Sequence, residues 1–123
     1  MAIASINPAT GETARKFDEL TPGEIETKLA LAAKTFSAYR RTSFSERARM
    51  MLRAAEILES ERDKFARVMT LEMGKPLKAA GDEAAKCASG CRDYAENAER
   101  ALAAEAIATN ASRSYGQYQP LVA

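Results

Sequence analysis

The segment running from Pro76 to about Ala104 constrains this chain more than any other. Its apolar positions are Ala80, Ala84, Cys87, Ala88, Cys91, Tyr94, Ala95, Ala98 and Leu102. They recur every three or four residues, the period of one helix face. Asp82, Glu83, Lys86, Arg92, Asp93, Glu96, Glu99 and Arg100 fall on the other side. Most of the stripe is alanine, so a neighbouring helix can approach closely. A long helix with so slight an apolar face needs a partner shaped to it.

Three further helices are written upstream. Thr21, Pro22 and Glu24 form an N-cap, a first-turn proline and a capping-box acid. Ile25, Leu29, Ala32, Ala33 and Phe36 then make one apolar stripe. Ser43 and Glu46 repeat the capping logic ahead of Ala48, Met51, Leu52, Ala55 and Leu58. Ser60, with Asp63 three residues on, predicts a fresh helix start. Phe65, Val68, Met69 and Leu71 belong to that separate helix, which should stop at Gly74.

The ends of the chain read as β. Ile3 and Ile6 flank an extended piece, Asn7-Pro8 and Gly11 supply turn chemistry, and a second piece runs through Phe17, a β-hairpin. The last extended strand is expected near Ser114 to Gln119, although Gly116 weakens it. The fold class is therefore mainly α, with an N-terminal β-hairpin and a C-terminal strand.

Composition narrows the function. At 123 residues the chain holds one modest domain. A formal charge of +1 makes no bulk electrostatic case for nucleic acid or an anionic membrane. No apolar run reaches the roughly 18 residues of a membrane span. The start, "MAIASINPATGE", lacks a basic patch followed by an apolar stretch, so the cytoplasm is the expected compartment. There is no histidine, which removes the commonest general base and metal ligand. The two cysteines, Cys87 and Cys91, fall short of the four ligands of structural zinc. One turn apart on the stripe, they are expected to be small buried residues and poorly placed for a mutual disulfide.

The stretch "LEMGKPLKAAGDE" invites a phosphate-loop reading through Gly74-Lys75. Such a loop needs an earlier glycine, where Met69 stands, and a hydroxyl after the lysine, where Pro76 stands. Proline also lacks the N–H an anion would use. The stretch is read as a helix–helix joint, with Lys75 a solvated linker residue. "ESERDK" and "GDEAAK" are read as solvated helix faces with local ion pairs.

"INPATGE", "SFSERARMMLRAAEILE", "MTLEMGKPLKAAGDEAAKCA", "YAENAE" and "SRSYGQYQPL" occur in this order. Together they resemble the N-terminal quarter of the NAD(P)-dependent aldehyde dehydrogenases, with greatest likeness to bacterial succinate-semialdehyde dehydrogenases of the NADP-preferring kind. The resemblance implies that residues 1–111 begin the Rossmann-like cofactor domain, as hairpin plus helices. It implies that residues 112–123 form a strand of the oligomerisation region, Ser112 to Gln119 joining the small intersubunit sheet.

It also implies that the family's Pro-Trp-Asn asparagine, Gly-rich cofactor turn, glutamate base and nucleophilic cysteine all lie downstream. Cys87 and Cys91 do not match the nucleophile, and Lys75 does not match the cofactor-binding lysine. No catalytic, cofactor-binding or metal-binding residue carries over to any position, so the chain alone is expected to bind no cofactor and to be inactive. NADP or NAD and succinate semialdehyde would be the cofactor and substrate of the full-length enzyme. Where the family has Gly after "YQPL", Val122 and Ala123 stand, as a frameshift or early stop would leave. The expectation is a truncated piece of dehydrogenase that self-associates or is marginally stable. The alternative is a stand-alone helical module docking on dehydrogenase subunits through its last strand.

Overall fold

A computed structural model describes residues 3 to 119. The order of elements is β1 (Ile3–Ile6), β2 (Thr13–Phe17), α1 (Pro22–Tyr39), α2 (Phe44–Ser60), α3 (Arg62–Met73), α4 (Leu77–Ala101), β3 (Glu105–Ala106) and β4 (Tyr115–Gly116). The mainly helical class and the N-terminal hairpin are as the sequence predicts. Val122 and Ala123, where a departure from the family was expected, lie outside the described residues.

In the hairpin Ile3 pairs with Phe17, Ala4 with Lys16 and Ser5 with Arg15, and the register shifts before Ile6 meets Thr13. Its turn is closed by Asn7. The Asn7 side-chain oxygen accepts from the Ala9 N–H at 2.9 Å, and its carbonyl accepts from the Gly11 N–H at 2.8 Å. Gly11 sits at φ 75°, in the region glycine enters without a Cβ clash.

Both expected capping boxes form. The Thr21 hydroxyl accepts from the Glu24 N–H while Glu24 accepts from the Thr21 N–H at 2.8 Å. Ser43 and Glu46 do the same, with the return bond at 2.7 Å. The third start signal does not work that way. Ser60 is the last residue of α2, and its hydroxyl donates back to the Ile57 carbonyl at 3.3 Å. The break falls at Glu61, and α3 begins with no side-chain cap. Already inside a helix, Ser60 satisfies its hydroxyl one turn back and has no free N-cap geometry to offer.

The core lies where α4 packs against α2 and α3. The fully buried apolar residues are Ala55 on α2, Ala66 on α3, and Ala80, Ala84 and Ala88 on α4. Gly81 is buried beside them. The small-residue face of α4 is thus the packed one, but it is rotated from the predicted stripe. Cys87 is exposed and Tyr94 is 65% exposed, while Gly81 takes an inward place. Residues 80, 81, 84 and 88 trace a narrower line that tolerates only minimal side chains between helices.

α1 contributes no buried residue. Ile25 and Leu29 on its stripe stay 45% and 59% exposed. The α4 helix ends at Ala101 rather than near Ala104, because the residues just beyond enter a sheet. Glu105 pairs with Gly116 and Ala106 with Tyr115, and the Ile107 N–H donates to the Ser114 carbonyl at 3.0 Å. Pairing overrides the helical preference of alanine and glutamate here. The expected strand from Ser114 to Gln119 is consequently two residues long, and it has a local partner.

Ala84→Leu forces a larger side chain into the seam and should lower unfolding stability by about 1–3 kcal/mol. Ala79→Leu, on the exposed side of α4, should stay within about 0.5 kcal/mol. Urea midpoints of the two variants provide the comparison.

Candidate functional site

Gly74 closes α3 in the left-handed conformation, at φ 69° and ψ 16°. Its N–H donates to the Thr70 carbonyl at 3.0 Å, capping the helix. Pro76 has an extended backbone, φ −54° and ψ 132°, and its carbonyl receives the Ala80 N–H of α4 at 2.9 Å. The Gly74-Lys75 stretch is therefore a helix joint, as read from sequence. A methyl at Gly74 would stand 3.0 Å from the Pro8 ring, so the hairpin turn is seated on this joint.

Lys75 differs from its expected solvated state. It is 32% exposed and ion-paired with Glu83, one turn and a half into α4. The amine is thus held by a carboxylate beside it, and the lysine braces the joint. The charged runs also depart from simple solvated faces. Arg62 Nε donates to the Gly81 carbonyl at 2.9 Å, and its Nη2 reaches Asp82 Oδ1 at 2.9 Å. Arg92 grips Glu59 with two bonds, at 3.1 and 2.6 Å. Lys78 completes the set by pairing with Asp82 at 2.9 Å. Sequence reasoning missed the long-range members, whose partners lie 19 to 33 residues apart. Only helix docking brings them together, and no local spacing announces them.

These contacts bias titration. The Lys78 hydrogen bond and charge, with Arg62 behind them, hold the Asp82 carboxyl below its ordinary value. Arg92 does the same to Glu59, and its own guanidinium is raised in return. Glu24 and Glu46 are lowered by bonds from Thr21 and Ser43, their helix caps.

Cys87 is exposed and Cys91 half-buried, and both are free thiols. The buried placement expected for Cys87 fails because the packed line of α4 passes through Ala84 and Ala88 instead. Among the described residues no group of three or more His, Cys, Asp or Glu could hold a metal ion.

An apolar groove of about 370 Å³ runs between α2 and α4, lined by Tyr39, Phe44, Met51, Tyr94 and Leu102. Arg47 borders it, stacked over the Tyr39 ring at 5.2 Å and bonded to Thr42 at 2.8 Å. Its guanidinium also reaches the Tyr39 and Arg40 carbonyls, so it pins the α1–α2 turn. Among the described residues no helix is long and apolar enough to cross a membrane.

The described residues therefore form a scaffold of hairpin, helix seam and terminal ribbon. This scaffold defines a class. A family model for the aldehyde dehydrogenases matches residues 1–122, and the chain belongs to the aldehyde dehydrogenase family. It is 53% identical to succinate-semialdehyde dehydrogenase (NADP+) 1 of Mycobacterium tuberculosis, over 98% of this chain and 27% of that one. A probable NADP+ succinate-semialdehyde dehydrogenase of Synechocystis is 49% identical, with the same coverage. The solved succinic semialdehyde dehydrogenase of Streptococcus pyogenes, in complex with NADP+, superposes with a TM-score of 0.84 at 30% identity. It covers 91% of this chain and 25% of that structure. The salicylaldehyde dehydrogenase of Pseudomonas putida G7 gives a TM-score of 0.82 at 25% identity, over 98% and 25%. The chain thus spans about a quarter of the length of the relatives it matches.

The lowered carboxylates set the response to acid. Asp82, Glu59, Glu24 and Glu46 favour the folded chain when ionised. Their contribution is full above the ordinary carboxylate range, about 3.9 to 4.3. It is lost as pH falls through their lowered folded values. Helicity by circular dichroism should hold from about pH 7 to 5 and fall below about pH 4. Glu59→Gln should lower the melting temperature at neutral pH and flatten this acid response.

Proposed function

We propose that the chain is the N-terminal segment of an NADP-dependent succinate-semialdehyde dehydrogenase and serves as scaffold for it. The observation that carries this reading is the 53% identity to the mycobacterial enzyme along 98% of the chain. In the complete cytoplasmic enzyme a cysteine thiolate would attack the aldehyde, hydride would pass to NADP, and water would release succinate. None of those groups is assigned to a residue of this chain. Its catalytic, cofactor-binding and metal-binding sets are empty, and by itself it should be inactive.

The distribution of apolar surface supports a scaffold role. Ile25 and Leu29 on α1, and Val68 and Leu71 on α3, are exposed on faces written with helical apolar period. Such faces call for cover, and the remaining three-quarters of a relative-length protein is the cover we assign. Residues 1–111 would frame the cofactor domain, and residues 112–123 would extend toward the oligomer interface.

A second reading is favoured by β3 and β4. They form a two-stranded ribbon, so among the described residues each strand keeps one edge without a ladder partner. Such an edge can take a further strand from a dehydrogenase subunit or a second copy of this chain.

The purified 123-residue chain, given succinate semialdehyde and NADP, should produce no reduced nicotinamide by absorbance. The same residues joined to the downstream three-quarters of the mycobacterial relative should restore turnover. Activity of the short chain alone would refute the scaffold reading, and a soluble but inactive fusion would refute the succinate-semialdehyde assignment. A pulldown with the full-length relative that retains no chain would eliminate the ribbon-docking alternative.

A further inference from the structure

We propose that Cys87 and Cys91 form a two-thiol chelate for a single soft acceptor of the trivalent organoarsenical class. Both are free, Cys87 exposed and Cys91 half-buried, on successive turns of α4. Residues four apart on a helix hold their β-carbons about 5–6 Å apart. That is wider than the roughly 3.5–4.5 Å a disulfide demands, so the thiols do not readily close on each other. A bridging atom with bonds to sulfur of about 2.3 Å places its two sulfurs at most about 4.6 Å apart, a span that two side chains leaning inward can meet. The helix thus separates the thiols too far for oxidation to a pair, yet close enough for one inserted atom.

The surroundings select the acceptor. No third His, Cys, Asp or Glu joins the thiols in a metal-holding group among the described residues. Zinc and similar ions, which take four ligands in structural sites, are poorly served. An acceptor satisfied by two thiolates fits, since soft sulfur ligands prefer soft acceptors. Glu83, one turn before Cys87, is engaged by Lys75 and does not present an uncompensated carboxylate. Access comes through Cys87, the exposed thiol, with Cys91 half-buried one turn on. The step is a condensation without redox change. Two S–H bonds and one As=O bond are exchanged for two As–S bonds and one water.

The test is titration of the full chain with phenylarsine oxide, followed by intact mass and free-thiol assay. The expected product carries one phenylarsenic per chain, has lost both thiols, and keeps its helicity. It should resist a glutathione wash and release to a dithiol. Cys87→Ser and Cys91→Ser should each lower this resistance at least about 100-fold. The double variant S89C/C91S moves the second thiol to the opposite face of α4 and should behave like a single-thiol chain while remaining helical. Equal retention in S89C/C91S would overturn the proposal, because a merely flexible dithiol would not sense the helix face. Two phenylarsenic groups per chain, or none, would overturn it as well.

Discussion

Everything in the described structure depends on how closely α4 can approach α2 and α3. The residues fully buried at that contact are alanines, Ala55, Ala66, Ala80, Ala84 and Ala88, with Gly81 among them. Each methyl removes little apolar surface, on the order of 0.8 kcal/mol per carbon buried. What small side chains contribute is proximity. Backbones that come close bring many weak dispersion contacts together. They also bring the Gly81 carbonyl within 2.9 Å of Arg62 on the neighbouring helix.

The ionic contacts follow from that approach rather than cause it. Arg62 to Asp82 and Arg92 to Glu59 both cross from one helix to another. They are half exposed, and exposed ion pairs stabilise weakly on their own. Their use is in register. Two arginines placed along α3 and α4 each find one carboxylate, and a slide of α4 by one turn would break both. Lys75 and Glu83 perform the same service at the joint, where Gly74 ends one helix and Pro76 opens the next.

In this member of the aldehyde dehydrogenase family the described residues form a helical frame. The large apolar side chains remain on the outside: Leu29, Leu31, Leu71 and Met73 are each more than half exposed. A seam of alanines holds the helices together, while these larger apolar side chains face outward.

Much of this was legible locally. The Thr21–Glu24 and Ser43–Glu46 boxes, the Gly74 stop, the Asn7 turn and the motifs around "LEMGKPL" are short-range features, satisfied within a few residues. The sequence by itself determined the helical class, the hairpin, the joint and the family. Tertiary structure alone decided which side of α4 faces inward, leaving Cys87 and Tyr94 outside and Gly81 inside. It decided the long-range arginine contacts and the pairing that ends α4 at Ala101 and makes a strand of Glu105 and Ala106. The physical reason is the same in each case. A stripe of small residues is nearly symmetric in hydrophobicity across neighbouring positions, so periodicity marks a face only broadly. Steric fit against α2 and α3 then chooses the line within it.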